Sequence, residues 1–71
     1  MSIHFAVRGE YIQLDQLLKA TGLCSSGGDA HAAIADGQVR VDALIETRKR
    51  AKLRVGQQVA FGNEIVVLVA E

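Results

Sequence analysis

Between Arg48 and Arg54 five of seven consecutive residues are cationic: Arg48, Lys49, Arg50, Lys52 and Arg54. Residues of this type at this density suit phosphate binding rather than bond-breaking. Arginine offers a planar fork of donors, lysine offers a point charge, and both displace counterions from a nucleic acid. The chain as a whole has eight Lys and Arg against eight Asp and Glu, so its formal net charge is zero. The neutral total hides an uneven distribution. Residues 1–36 carry −2, residues 37–54 carry +4, and residues 55–71 carry −2. Charge gathered in this way points to one cationic face, not to a generally basic protein.

A second, weaker candidate is "SSGGD", Ser25 to Asp29. Ser26 suits a helix N-cap, and Gly27 and Gly28 leave backbone N–H groups and the positive end of a helix dipole open to a phosphate. Asp29 opposes an anion there. His31, one turn further on and off the apolar face, adds a partial charge.

Bond-making chemistry has little to work with. His4 and His31 fall on different elements, and the single cysteine, Cys24, has no partner at ligand spacing, so no metal site is expected. There is no phosphate loop with its lysine and no G-x-G-x-x-G after a strand. Asp15, Asp29 and Asp36 fit pairing and capping on helices. Neither an enzyme nor a cofactor is expected. The three aromatics, Phe5, Tyr11 and Phe61, offer no visible stacking platform. Shape and phosphate recognition of a folded RNA fits better than reading of a loose strand.

Those residues have to be positioned by elements that the periodicities outline. "IHFAV", Ile3 to Val7, alternates as a short strand ending at Arg8-Gly9. Leu14, Leu17, Leu18 and Thr21 follow helical spacing, with Asp15 and Lys19 as an i,i+4 pair and Gly22 as a stop. A second helix starts at Ser26, packs Ala30, Ala33 and Ile34, and ends at Gly37. From Gln38 the period becomes two: Val39 and Val41 face one way and Arg40 the other, free to join the cationic cluster. Asp42-Ala43 is a turn into Leu44-Ile45. Gln58–Phe61 and Glu64–Val69 form a hairpin through Gly62-Asn63. This order predicts an α+β fold, two helices packed on a small, mostly antiparallel β-sheet, in a single domain spanning residues 1–71.

Seventy-one residues bury only about 60% of their unfolded surface, so the core has to be efficient. One cysteine precludes an internal disulfide framework and favours a reducing compartment. The amino terminus lacks signal-peptide character, and "IVVLVA", Ile65 to Ala70, is too short to cross a bilayer. A cytoplasmic protein without membrane contact is the expectation.

Three stretches, in this order and spacing, carry a family resemblance: "IQLDQLLKATGL", "SSGGDAHAAIADGQVRVDA" and "ETRKRAKLRVGQ". From about Tyr11 to Phe61 the chain resembles the RNA-binding domain first described in small-subunit ribosomal protein S-four, most closely its stand-alone bacterial YbcJ-like branch. The resemblance implies the αL motif, two helices and a β-hairpin that bind structured RNA, ribosomal or transfer, without catalysis. It places the binding surface at Ser26, Gly27, Gly28 and His31, and at Arg40, Arg48, Lys49, Arg50 and Lys52. It also implies a place in ribosome assembly or translation quality control, with the ribosome among the partners.

The chain departs from the family pattern in several places. Gly27 stands where arginine is common, His31 where lysine is usual, Asp42-Ala43 for an Asn-Gly turn, and Val55-Gly56-Gln57 for a Pro-Gly-Asp-like turn. The rival reading is a protein–protein adaptor or dimerisation module using the C-terminal strand as an edge. A monomer is favoured over a dimer, with the sheet covered by helices on one face and by the Ile3–Val7 strand and loops on the other.

Overall fold

In a computed structural model, which describes residues 2–71, the two periodicities separate as the sequence requires. The elements run β1 (Ser2–Val7), β2 (Ile12–Gln13), α1 (Leu14–Ala20), α2 (Gly27–Ala35), β3 (Val39–Val41), β4 (Leu44–Ile45), β5 (Lys52–Leu53), β6 (Gln58–Phe61) and β7 (Glu64–Ala70). Five strands make one sheet in the order β1-β7-β6-β3-β4, and β2 pairs with β5 in a separate two-stranded sheet. Every pairing is antiparallel except β1 with β7.

The core is one apolar layer between helices and sheet. Leu14, Leu17 and Leu18 of α1, Ala30, Ala33 and Ile34 of α2, and Val39, Val59, Val66 and Leu68 of the sheet are all buried. Fully burying a leucine or isoleucine side chain contributes about 1.5–3 kcal/mol, so these few residues carry most of the fold. Small alanines let α2 sit close. The helix is capped by Ser26, whose Oγ accepts the Asp29 N–H at 3.1 Å, and it stops where Gly37 takes φ 76°.

The β3–β4 hairpin turns through Asp42 (φ 50°) and Ala43 (φ 72°), the left-handed pair a two-residue type I′ turn needs. Alanine has no natural preference for that region, and strand register sets it there. Asp42 offsets this by tying two turns together: its carboxylate accepts the Gln58 N–H at 3.0 Å and the Gln57 amide at 3.1 Å.

Two expectations need correcting. The first strand does not cover a face of the sheet; it lies in the sheet, with Ser2 opposite Ile65 and Val7 opposite Ala70. The C-terminal strand is therefore no edge. β7 has β1 on one side and β6 on the other, so both its backbone edges are used; of its apolar run, Val66 and Leu68 enter the core while Ile65 stays exposed. This removes the sheet-edge basis for the adaptor reading.

Candidate nucleic-acid interface

The cationic segment is held by its backbone and by its alternate residues. Ala51 and Leu53 are buried, while Arg50, Lys52 and Arg54 between and beyond them are exposed. Period two thus anchors the strand with its apolar side chains and turns the charged ones outward. Antiparallel pairing of Leu53 with Ile12 and Lys52 with Gln13 fixes the register. The carbonyls of Lys49 and Ala51 accept the N–H groups of Asp15 and Leu14, each at 3.0 Å. These donors open α1, whose N-cap residue Gln13 supplies no side-chain bond. The basic segment is therefore the cap of the first helix.

Glu46 shapes the approach to this segment. Its carboxylate accepts Arg48 Nη2 at 2.9 Å, Arg48 Nε at 3.1 Å and the Arg48 backbone N–H at 3.0 Å. The hydrogen bond from the Arg48 guanidinium is the main reason the Glu46 carboxyl titrates below its ordinary range. Arg48 is thus partly neutralised by a neighbour. Lys49, Arg50 and Lys52 have no carboxylate within ion-pair distance among the described residues.

Arg48, Arg50, Lys52 and Arg54 line one depression of about 470 Å³ with Ala51 among them. Lys52 Nζ stands 5.1 Å from the centroid of the Tyr11 ring, a cation–π contact. Arg54 Nη1 donates to the Glu10 carbonyl at 3.4 Å. Arg54 thus joins the group that the sequence had marked as cationic without placing it in the site. Tyr11 also went unrecognised, because it belongs to no periodic stretch.

At the start of α2 the side chains are engaged within the protein. Ser26 caps the helix, and Asp29 Oδ2 accepts the Ser25 hydroxyl at 2.6 Å. His31 Nε2 lies 2.9 Å from Asp15 Oδ2, bridging the helices. The expected Asp15–Lys19 pair does not form; helix packing brings the imidazole of His31 closer than the helix's own next turn brings the lysine. Burial works against ionisation of Asp15. The His31 and Gln16 hydrogen bonds, with the His31 and Arg50 charges behind them, outweigh it and hold the carboxyl below its ordinary value.

Arg50 therefore stands close enough to Asp15 to act on it, and the two candidate regions meet at that carboxylate. Gly27 and Gly28 have no strained φ, and an added Cβ would make only ordinary contacts, with Lys19 Cδ at 4.0 Å and Ser26 Oγ at 3.8 Å. The fold alone does not require glycine at either position.

Arg40 lies apart. It projects from the face of β3 opposite Val39 and Val41, across from Ala60 and Ile45, into a depression shared with Gly37, Gln38 and Gly62. It does not line the Arg48–Arg54 depression. A further concavity of about 740 Å³ beside α2 is rimmed by Asp29 and Asp36, the wrong sign for phosphate. Cys24 at its wall is buried, and burial followed by the Asp29 charge pushes its thiol up, away from a reactive thiolate. No group of three or more potential metal ligands occurs among the described residues. No helix among them is long and apolar enough to cross a membrane.

Comparison with known proteins adds the following. The model of the S4 domain family matches residues 5–69. A protein of Escherichia coli (strain K12) named "Putative RNA-binding protein YbcJ" is 48% identical over 60 residues, covering 84% of this chain and 86% of its own. "Uncharacterized protein YbcJ" of Shigella flexneri matches to the same extent. The solution structure of YbcJ from E. coli, described as revealing an αL motif involved in RNA-binding, superposes with a TM-score of 0.70 at 42% identity. That superposition covers 97% of this chain and 86% of the other.

Proposed function

The chain belongs to the S4 domain family, and from that premise we propose that it binds structured RNA, ribosomal or transfer, without catalysing a reaction. The observation that carries the reading is the depression lined by Arg48, Arg50, Lys52 and Arg54, whose backbone is fixed by α1 and β2 while its cations stay in solvent. Phosphates meet cations carried on a backbone that is already fixed, so binding has to order side chains but little main chain. Lys49 and Arg50 extend the surface toward Asp15 and the start of α2, where Ser26 caps the helix, His31 is tied to Asp15, and the backbone of Gly27 and Gly28 is open to close approach. Arg40 contributes from the sheet face to a longer RNA.

Recognition in this mode reads phosphate geometry and shape, needs no cofactor, and suits a cytoplasmic monomer acting in ribosome assembly or translation quality control. The S4 match and the named RNA-binding of its YbcJ relative support the ligand class. Titration of a labelled tRNA or ribosomal RNA fragment over a range of salt tests the proposal. With about four cations on phosphates, log affinity falls against log salt with a slope of about −3 to −4. A slope near zero, or no binding at low salt, rejects it.

A further inference from the structure

Tyr11 stands between two depressions. On one side lies the cationic one, with Lys52 Nζ 5.1 Å from the ring centroid and the Arg54 guanidinium on the adjoining Glu10 carbonyl. On the other lies a depression of about 390 Å³ lined by Tyr11 with Phe5, Ile12, Arg8, Gln16 and the Glu71 that pairs with Arg8. Tyr11 is 38% exposed, and among the described residues it is the one aromatic in the set of large hydrophobic side chains left open to solvent.

Resting on the RNA reading above, we propose that this second depression takes one unpaired nucleobase of the bound RNA, with the base stacked on Tyr11 and its phosphate among the neighbouring cations. Three features fit a base rather than an aliphatic group. A tyrosine ring offers a flat face, and base–aromatic stacking tolerates any base because each has a π-face. Gln16 on the first turn of α1 is exposed, and its side-chain amide has no partner among the described residues. That amide has both a donor and an acceptor to offer a base edge. Arg8 at the rim is held only by an exposed pair with Glu71 at 3.2 Å, so it can exchange that carboxylate for an RNA oxygen at little cost.

The Lys52 contact gives the ring a second role. The ammonium is held against Tyr11 and also lines the phosphate depression, so the ring sits where a nucleotide changes from backbone to base. A continuous duplex keeps its bases stacked inside and leaves this depression empty. A bulge, loop or duplex end fills it. The preferred ligand is thus an RNA with a paired stem and at least one extruded base.

The test uses two RNA hairpins identical except for one bulged nucleotide, replaced by fluorescent 2-aminopurine. The expected result is quenching of the fluorophore and about tenfold tighter binding of the bulged hairpin. Tyr11→Ala should abolish the quench and the preference for the bulged hairpin, and Tyr11→Phe should keep both. Circular dichroism on each variant confirms folding. Equal affinity for the two hairpins without quenching, or a preference that survives Tyr11→Ala, overturns the base site alone. Wild-type protein that binds neither hairpin overturns the cationic groove and the base site together.

Discussion

The Arg50–Arg54 stretch and the opening turn of α2 are both polar, both exposed and both next to α1, yet they are held in opposite ways. In the first, the main chain makes the attachments, through Lys49 and Ala51 to α1 and through Leu53 and Lys52 to β2, and among the described residues none of the charged side chains from Lys49 to Arg54 is paired with a carboxylate. In the second, the side chains make them: Ser26 to Asp29, Asp29 to Ser25 and His31 to Asp15. Side chains already spent on the fold have little left for a ligand. Free side chains on a fixed backbone can bind one without loss of structure. The difference separates residues whose replacement should cost affinity from those whose replacement should cost stability.

The largest expected effect breaks the first region. Changing Lys49, Arg50 and Lys52 together to glutamate should lower RNA affinity by about a hundredfold or more and flatten the salt dependence. Thermal melting should fall only modestly, since no ion pair is broken and the losses are the Lys52–Tyr11 contact and the attraction of Arg50 for Asp15. A large fall in melting temperature would show that the segment serves the fold after all.

The next effect concerns the carboxylate where the regions meet. Asp15→Asn should destabilise the protein at pH 7 by about 1–2 kcal/mol through its charge-assisted bonds. Because folding lowers the Asp15 pKa below the ordinary 3.8, its contribution is complete above that value and lost as pH falls through the lower folded one. The gap between variant and wild type should therefore close in acid unfolding experiments at pH below 3.8. A gap that is the same at every pH would mean the ionised form earns no stability.

Ser26→Ala should cost about 1 kcal/mol of stability, by loss of the cap, and change RNA affinity less than twofold. A tenfold loss of affinity in urea-stable protein would make the Ser26 hydroxyl itself an RNA contact. The smallest effect lies away from both regions. Ala43→Gly should raise the urea midpoint by an amount equal to about 0.5–1 kcal/mol, since glycine adopts φ 72° without strain.

Much of this was legible in the residues themselves. The leucines of α1, the alanines of α2 and the valines of β3 carry their periods openly, and the basic run stands out against a neutral chain. What escaped depends on contacts between distant residues. Ile12-Gln13 and Lys52-Leu53 are two-residue strands with no pattern of their own, and only their pairing defines them. Asp15 had a local partner four residues away and took His31 instead, because tertiary packing outranks a surface pair worth a few tenths of a kcal/mol. The Glu46–Arg48 clamp and the exposure of Tyr11 follow from the loop path, which no spacing encodes.

The parallel pairing of β1 with β7 sets a condition on biosynthesis. Ser2 has no ladder neighbour until Ile65 arrives, so the amino-terminal strand has to wait, unpaired, for nearly the whole chain to be made. Closing so long a loop carries an entropic cost that grows only slowly with length, yet the wait itself cannot be shortened. Until β7 is available the first strand stays open to proteases and chaperones, while α1 and α2, both earlier in the chain, can already pack on each other.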